Sequence, residues 1–276
     1  MKSGLRLSVL TIAITAIIAL TGCTSSGSTD ETIDKKVLKV GATPVPHAEL
    51  LEQVKPILEE QGIELEIVEF TDYVKPNLSL NDGEIDANFF QHAPYLDGFN
   101  VDHNLDLISV GTVHVEPLGV YSEKFTNIDD LPEGALIAIP SDGVNGGRAL
   151  ILFEAEGLIK LKEDAGLEAT EKDIVENPKG FEFKSIEAAQ LPRVLPDVDA
   201  AIINGNYAIE ANLNPSKDAL LVEGAESPYA NILTVKAGYE KVEEINALLD
   251  ALQTEEIETF IEENYEGGVV AAFSKK

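Results

Sequence analysis

From Val37 onward the chain alternates short runs of β-branched and aliphatic residues with stretches whose apolar residues recur every three or four positions. Residues 37–42 read as a buried strand. Residues 47–61 read as a helix, because Leu50, Leu51, Val54, Ile57 and Leu58 fall on one face, and Gly62 stands where helices take a left-handed residue. Residues 63–70 alternate strictly, as a strand with one wet face does. A short helix around 74–80, a turn at Asn81-Asp82-Gly83 and a strand at 85–89 complete a β-α-β-α-β order. That order predicts a parallel sheet with helices on its faces.

A second set of the same kind follows. Residues 135–140 read as a strand, 146–156 as a helix with Ala149, Leu150, Leu152 and Phe153 inward, and 181–184 as a strand. Residues 188–195 form a short helix interrupted by Pro192. A strand at 200–204 and a helix at 207–212 come next, and the chain closes with a strand at 232–235 and acidic-faced helices at 242–253 and 255–264. Two such units imply an α/β fold of two lobes, and ligands of these sheets sit at the carboxyl ends of strands.

The first residues belong to targeting rather than to fold. Lys2 and Arg6 precede an apolar run at 7–20 broken only by Ser8, Thr11 and Thr15. The run is short for a membrane span and fits the hydrophobic region of a secretory signal. It ends at Leu20-Thr21-Gly22-Cys23, which resembles the bacterial lipobox. Cys23 is the only cysteine, so it has no internal disulfide partner, and lipidation explains it. The expectation is a lipoprotein signal peptide at 1–22, acyl chains (palmitate) on Cys23, and a flexible tether at 23–36. The body would then lie on the extracytoplasmic face of the cell membrane. A net charge of −29 argues against a nucleic-acid partner, since phosphate backbones need a basic footprint.

Chemistry concentrates at four strand ends. Asp86-Ala87-Asn88-Phe89-Phe90-Gln91-His92-Ala93-Pro94-Tyr95 packs three aromatic rings, a histidine and two amides into ten residues of a chain without tryptophan. A core strand has little use for Gln91-His92, whereas a pocket wall facing a part-apolar solute does. Ser141-Asp142-Gly143-Val144-Asn145-Gly146-Gly147-Arg148 is a glycine-rich turn entering a helix, with Arg148 expected in the first turn. There the macrodipole disfavours a cation and leaves it seeking an anion. No Gly-Lys-Ser/Thr makes it a P-loop. Asn204-Gly205-Asn206-Tyr207 and Ser227-Pro228-Tyr229-Ala230-Asn231 supply amides that can both donate and accept, as a zwitterion requires. Catalysis finds little support: there is no Gly-x-Ser-x-Gly, and no thiol remains once Cys23 is acylated. His47, His92, His103 and His114 are scattered without metal-ligand spacing. No cofactor and no metal are expected.

The lipobox, Val40-Gly41-Ala42-Thr43-Pro44-Val45-Pro46-His47, Glu69-Phe70-Thr71-Asp72-Tyr73-Val74-Lys75-Pro76-Asn77, the aromatic stretch above, Glu176-Asn177-Pro178-Lys179, Gln190-Leu191-Pro192-Arg193 and Glu226-Ser227-Pro228-Tyr229-Ala230-Asn231 together resemble the NlpA family. Its members are methionine-binding lipoproteins that feed ABC importers, and the resemblance spans essentially the whole mature chain. It implies a non-enzymatic periplasmic-binding-protein fold, with one lobe at 37–119 and 230–276, the other at 120–229, and a ligand cleft between them. Carried onto this sequence, Tyr73, Phe90, His92 and Tyr95 would surround a thioether. Arg148, with Asn145 nearby, would hold a carboxylate, and Asn204 and Asn231 would fix the amino-acid backbone. The implied ligand is L-methionine, and the implied partners are the permease and ATPase subunits of an importer. D-methionine, a methionine-containing dipeptide or another apolar amino acid are alternatives within the class, and a surface adhesion lipoprotein is one outside it. Asp142-Gly143 stands where the family often has Asp-Pro, which is expected to loosen the loop carrying Arg148.

Overall fold

The computed structural model describes residues 36–224 and 228–273. The expected signal segment, the lipidation site Cys23, and Ser227 of the last motif lie outside the described residues, as does the expected tether except for its final residue. That residue, Lys36, opens the first strand.

The first part of the chain runs β1 (Lys36–Ala42), α1 (Glu49–Glu60), β2 (Ile63–Glu69), α2 (Lys75–Asp82), β3 (Ala87–His92), α3 (Ala93–His103) and β4 (Leu107–Val115). Then follow β5 (Gly119–Tyr121), β6 (Leu136–Pro140), α4 (Gly143–Ala155), β7 (Lys160–Leu161), β8 (Ile174–Glu176), β9 (Glu182–Ile186), α5 (Leu191–Val194), β10 (Ala200–Ile203), α6 (Gly205–Glu210), α7 (Pro215–Asp218) and β11 (Leu221–Val222). The chain ends with β12 (Ala230–Lys236), α8 (Val242–Leu252), α9 (Glu255–Tyr265) and β13 (Val270–Ala271).

Two main sheets result. One has the order β13-β4-β12-β3-β1-β2, the other β11-β5-β10-β6-β9, and β7 and β8 pair separately. The expected parallel pairing holds where helices make the crossovers: β1 with β2 and β3, and β6 with β9 and β10. It fails at the strands next to the crossings between sheets. β12 runs antiparallel to β3 and β4, and β5 runs antiparallel to β10 and β11. Each of β5 and β12 arrives from the other sheet rather than over a helix on its own, so nothing forces a parallel entry.

Apolar side chains of both faces fill the layers. Leu38, Val40 and Leu65 pack against Leu50, Leu51, Val54 and Leu58 of α1 and against Ile245, Leu248 and Leu252 of α8. In the second sheet Ile137, Ile139 and Ile202 meet Leu150 and Phe153 of α4 on one face. On its other face Ala201 and Ile203 meet Leu191 and Leu195. Each such fully buried aliphatic side chain contributes roughly 1.5–3 kcal/mol. Among the described residues, no helix is long and apolar enough to cross a membrane.

Candidate ligand-binding site

The carboxyl ends of β3 and β10 and the start of α4 face one cavity, about 330 Å³ when the open solvent at its mouth is included. Tyr73, Phe90, His92, Tyr95, Asn145, Arg148, Asn204 and Asn231 all line it, so every ligand-contact candidate read from the sequence falls on one surface.

The aromatic stretch divides its work by the pleat and by a bulge. All of β3 is buried. Its register against β12 steps from Gln91↔Ile232 to Phe89↔Leu233, leaving Phe90 as an extra residue. Such bulges re-aim side chains beside binding sites. Phe89 enters the core below, edge-on to His47 at 4.7 Å. Phe90 joins Tyr95, Phe99 and Tyr73 in a separate aromatic cluster on the pocket wall. Gln91 belongs to a buried amide network. It donates to Asn77 Oδ1 at 2.7 Å and Asn88 Oδ1 at 3.0 Å, and accepts from Asn77 Nδ2 at 2.8 Å. The amide beside the rings is therefore structural, and satisfied.

His92 is the N-cap of α3. The Tyr95 N–H donates to its Nδ1 at 3.2 Å, which leaves the ring proton on Nε2 to be donated to Asn145 Oδ1 at 3.2 Å. Burial, reinforced by Arg148, holds its pKa down at about 3, so the ring is neutral. Asn145 Oδ1 also accepts from Asn204 Nδ2 at 2.9 Å, while the Asn145 backbone N–H and Nδ2 donate to the Asp142 carboxylate at 2.8 and 3.0 Å. Asp142 is thus the N-cap of α4. The Asp142-Gly143 pair does not loosen this loop, because the aspartate fixes it. The helix begins at Gly143, earlier than expected, and Arg148 stands in the second turn rather than the first. The dipole argument for its anion therefore does not apply.

Arg148 is held by other means. Its Nε–H donates to Glu223 Oε1 at 2.9 Å, one Nη2–H goes to Glu223 Oε2, and Nη2 also donates to the Glu116 carbonyl at 3.0 Å. The guanidinium lies over the Tyr229 ring, 4.2 Å from its centroid. Nη1 makes no hydrogen bond to a described residue, and the side chain lines the cavity.

Several neighbours were not read from the sequence. Asn206 accepts from the Tyr73 hydroxyl at 2.5 Å, and its Nδ2 is buried without a partner among the described residues. The same is true of Asn204 Oδ1. His47 and His114, scattered in sequence, converge on Glu116. His114 Nε2–H donates to Glu116 Oε1 at 2.8 Å, and His47 Nε2 lies 3.2 Å from the same oxygen and 3.1 Å from Asn231 Oδ1. These three residues carry the donor types of a metal site and lie within 4.8 Å of one another. Their ring N–H groups are nevertheless already directed at the carboxylate. Burial pushes His47 down to about 4 and His114 to about 3, and pushes Glu116 up. Only the Asn204-Gly205-Asn206-Tyr207 motif offered a sequence signal, for Asn206.

Two α/β sheets joined by crossings, with a mixed aromatic and polar cavity between them, define a two-lobed solute-binding protein of the periplasmic-binding-protein type. The profile of the NlpA lipoprotein family matches residues 38–273, and the chain belongs to that family, whose members are substrate-binding lipoproteins rather than enzymes. Membrane lipoprotein TpN32 of Treponema pallidum is 48% identical over 242 residues, covering 88% of each chain. The probable D-methionine-binding lipoprotein MetQ of Vibrio cholerae is 43% identical over 272 residues, covering 98% of this chain and 99% of its own. Among solved structures, a nutrient-binding protein from Burkholderia cenocepacia bound to methionine aligns with a TM-score of 0.83 at 44% identity, covering 86% of this chain and all of its own.

Proposed function

We propose that this lipoprotein captures L-methionine and delivers it to the permease and ATPase of a membrane ABC importer, held to the extracytoplasmic face by lipid on Cys23. In this reading the lobes are residues 37–119 with 230–276, and residues 120–229. The observation that carries it is the set of polar atoms left over at the pocket. Asn206 Nδ2 is a donor and Asn204 Oδ1 an acceptor, both buried without partners among the described residues, and the hydrogen bonds of Arg148 to described residues use Nε and Nη2, leaving Nη1 as a further donor. They stand beside a wall of Phe90, Tyr95 and Tyr73. A carboxylate meets the donors, an amino group meets the acceptor, and a polarizable thioether meets the ring edges. Asn145, Asn204 and Asn231 orient the backbone of the bound amino acid, and His92 closes the side-chain pocket.

The test is native mass spectrometry of the full chain in detergent, then calorimetric titration after unfolding and refolding strip any carried ligand. Saturable one-to-one binding of L-methionine, not matched by leucine, supports the reading. Tighter binding of D-methionine or a methionyl dipeptide reassigns the ligand. Absence of binding to any amino acid overturns it.

A further inference from the structure

An amino acid brings a cation as well as an anion, and the carboxylate end already has Arg148. The amide oxygens near the other end offer dipoles but no charge. Glu116 does. It follows β4 on the segment that crosses between the sheets, and it lines the same cavity as Arg148 and Asn204. Its side chain is 7% exposed.

The carboxylate is built in. Oε1 faces the N–H of His114 at 2.8 Å and of His47 at 3.2 Å, and the Asn206 backbone N–H bonds the carboxylate from the start of α6. Gly205 permits this approach: a Cβ there would stand 2.7 Å from Glu116 Cβ and 3.2 Å from Oε2. Thr43 Oγ1 lies 2.7 Å from His47 Nδ1, so the hydroxyl donates there and leaves the ring proton on Nε2, aimed at the carboxylate. Both imidazoles are neutral in this burial, so they present dipoles and no charge. Arg148 is matched by Glu223 through two hydrogen bonds. Among the described residues, Glu116 makes ion contacts only with His47 and His114, and Asn204 Oδ1 nearby is an acceptor without a partner. An isolated buried charge is costly, and a ligand cation relieves that cost.

We propose that Glu116 is the counter-charge for the ligand's α-ammonium group, and that His47 and His114 are positioning residues that aim its carboxylate. The proposal rests on the reading of the ligand as an α-amino acid. It makes the pocket selective for zwitterions over simple carboxylates of the same shape.

The experiment compares L-methionine with γ-(methylthio)butyrate, which lacks only the amino group, by calorimetry on the full chain and on Glu116→Gln. The wild type should prefer methionine by about 100-fold or more. In Glu116→Gln methionine should weaken by about 30-fold while the des-amino compound is unchanged or tighter, collapsing the preference. Equal losses for both ligands, or no loss for either, overturn the proposal. Should Glu116→Gln not fold, the wild type decides: a preference below about tenfold overturns it. If the wild type binds another α-amino acid instead, that compound and its des-amino form take the same places, so Glu116 is judged separately from the choice of methionine. If it binds no α-amino acid, the ligand class and the role of Glu116 fall together.

Discussion

Arg148 and Glu223 form a two-point pair, Nε to Oε1 at 2.9 Å and Nη2 to Oε2, that fixes the plane of the guanidinium and leaves Nη1 outside the pair. In the proposed reading, Glu223 acts on the ligand through Arg148. The same carboxylate that neutralises the arginine also decides which of its five N–H groups stay available.

Replacing Arg148 by Lys keeps a cation but cannot span Glu223, the Glu116 carbonyl and a ligand at once. Methionine affinity should fall by about 100-fold or more in calorimetry. Arg148→Ala should abolish binding and also lower the melting temperature, because Glu223, with 15% of its side chain exposed, is left without its partner. Retained micromolar binding in Arg148→Ala would remove the carboxylate role from this residue.

Glu223→Gln keeps the shape and loses the charge assistance. Methionine should weaken by about tenfold while the fold is retained, and a slower association with unchanged dissociation is not expected, since the change lies in the held geometry. Stopped-flow fluorescence or surface plasmon resonance separates the two rates. Unaltered affinity would show that Arg148 is oriented without it.

Phe90→Ala opens the bulged wall. It should cost methionine about 2–3 kcal/mol, or roughly 30- to 150-fold, and cost glycine or alanine far less, because only the longer side chain reaches the rings. Calorimetry with the three amino acids checks the ratio. Equal losses would move the side-chain pocket elsewhere.

Acid should destabilise the fold. His47, His92 and His114 are held near 4, 3 and 3 by burial, against about 6.5 when unfolded. The unfolded chain then binds more protons, and stability falls as pH drops below about 6.5, until the folded-state values are reached. Each histidine contributes a slope of up to about 1.4 kcal/mol per pH unit in that window. Glu116, raised by burial, works in the opposite direction but only as the carboxylate itself takes up a proton. Melting curves at pH 7.5, 6.5, 5.5 and 4.5 should show a progressive drop beginning near 6.5, and a flat profile down to 4.5 would contradict the neutral burial of these rings.

Much of the fold was legible because periodicity is local. The β-α alternation around Val40 and Ile139 needs only neighbours to read. The helix α3 was not read, since its cap is a histidine, His92, rather than one of the usual hydroxyl or acidic residues, and since its buried positions Tyr95, Leu96 and Phe99 follow closely on an aromatic run. The antiparallel course of β12 depends on the chain's return from the second sheet, which no window of sequence contains. In the site, Phe90, Arg148 and Asn204 stood out as unusual residues at strand ends or helix starts. Glu116 did not, because one carboxylate among 49 acidic residues carries no signal until the fold sets His47 and His114 against it.

Asn145 Oδ1 takes one hydrogen bond from His92, which ends a strand of the first sheet, and one from Asn204, which follows a strand of the second. The polar side of the pocket thus draws on both sheets, so the full site exists only while the halves are together. Any contact that tightens the grip on a solute also clamps the halves, and any partner that takes the solute must first pull them apart. Thrift in capturing a scarce nutrient and speed in surrendering it are then opposing demands on the same few atoms.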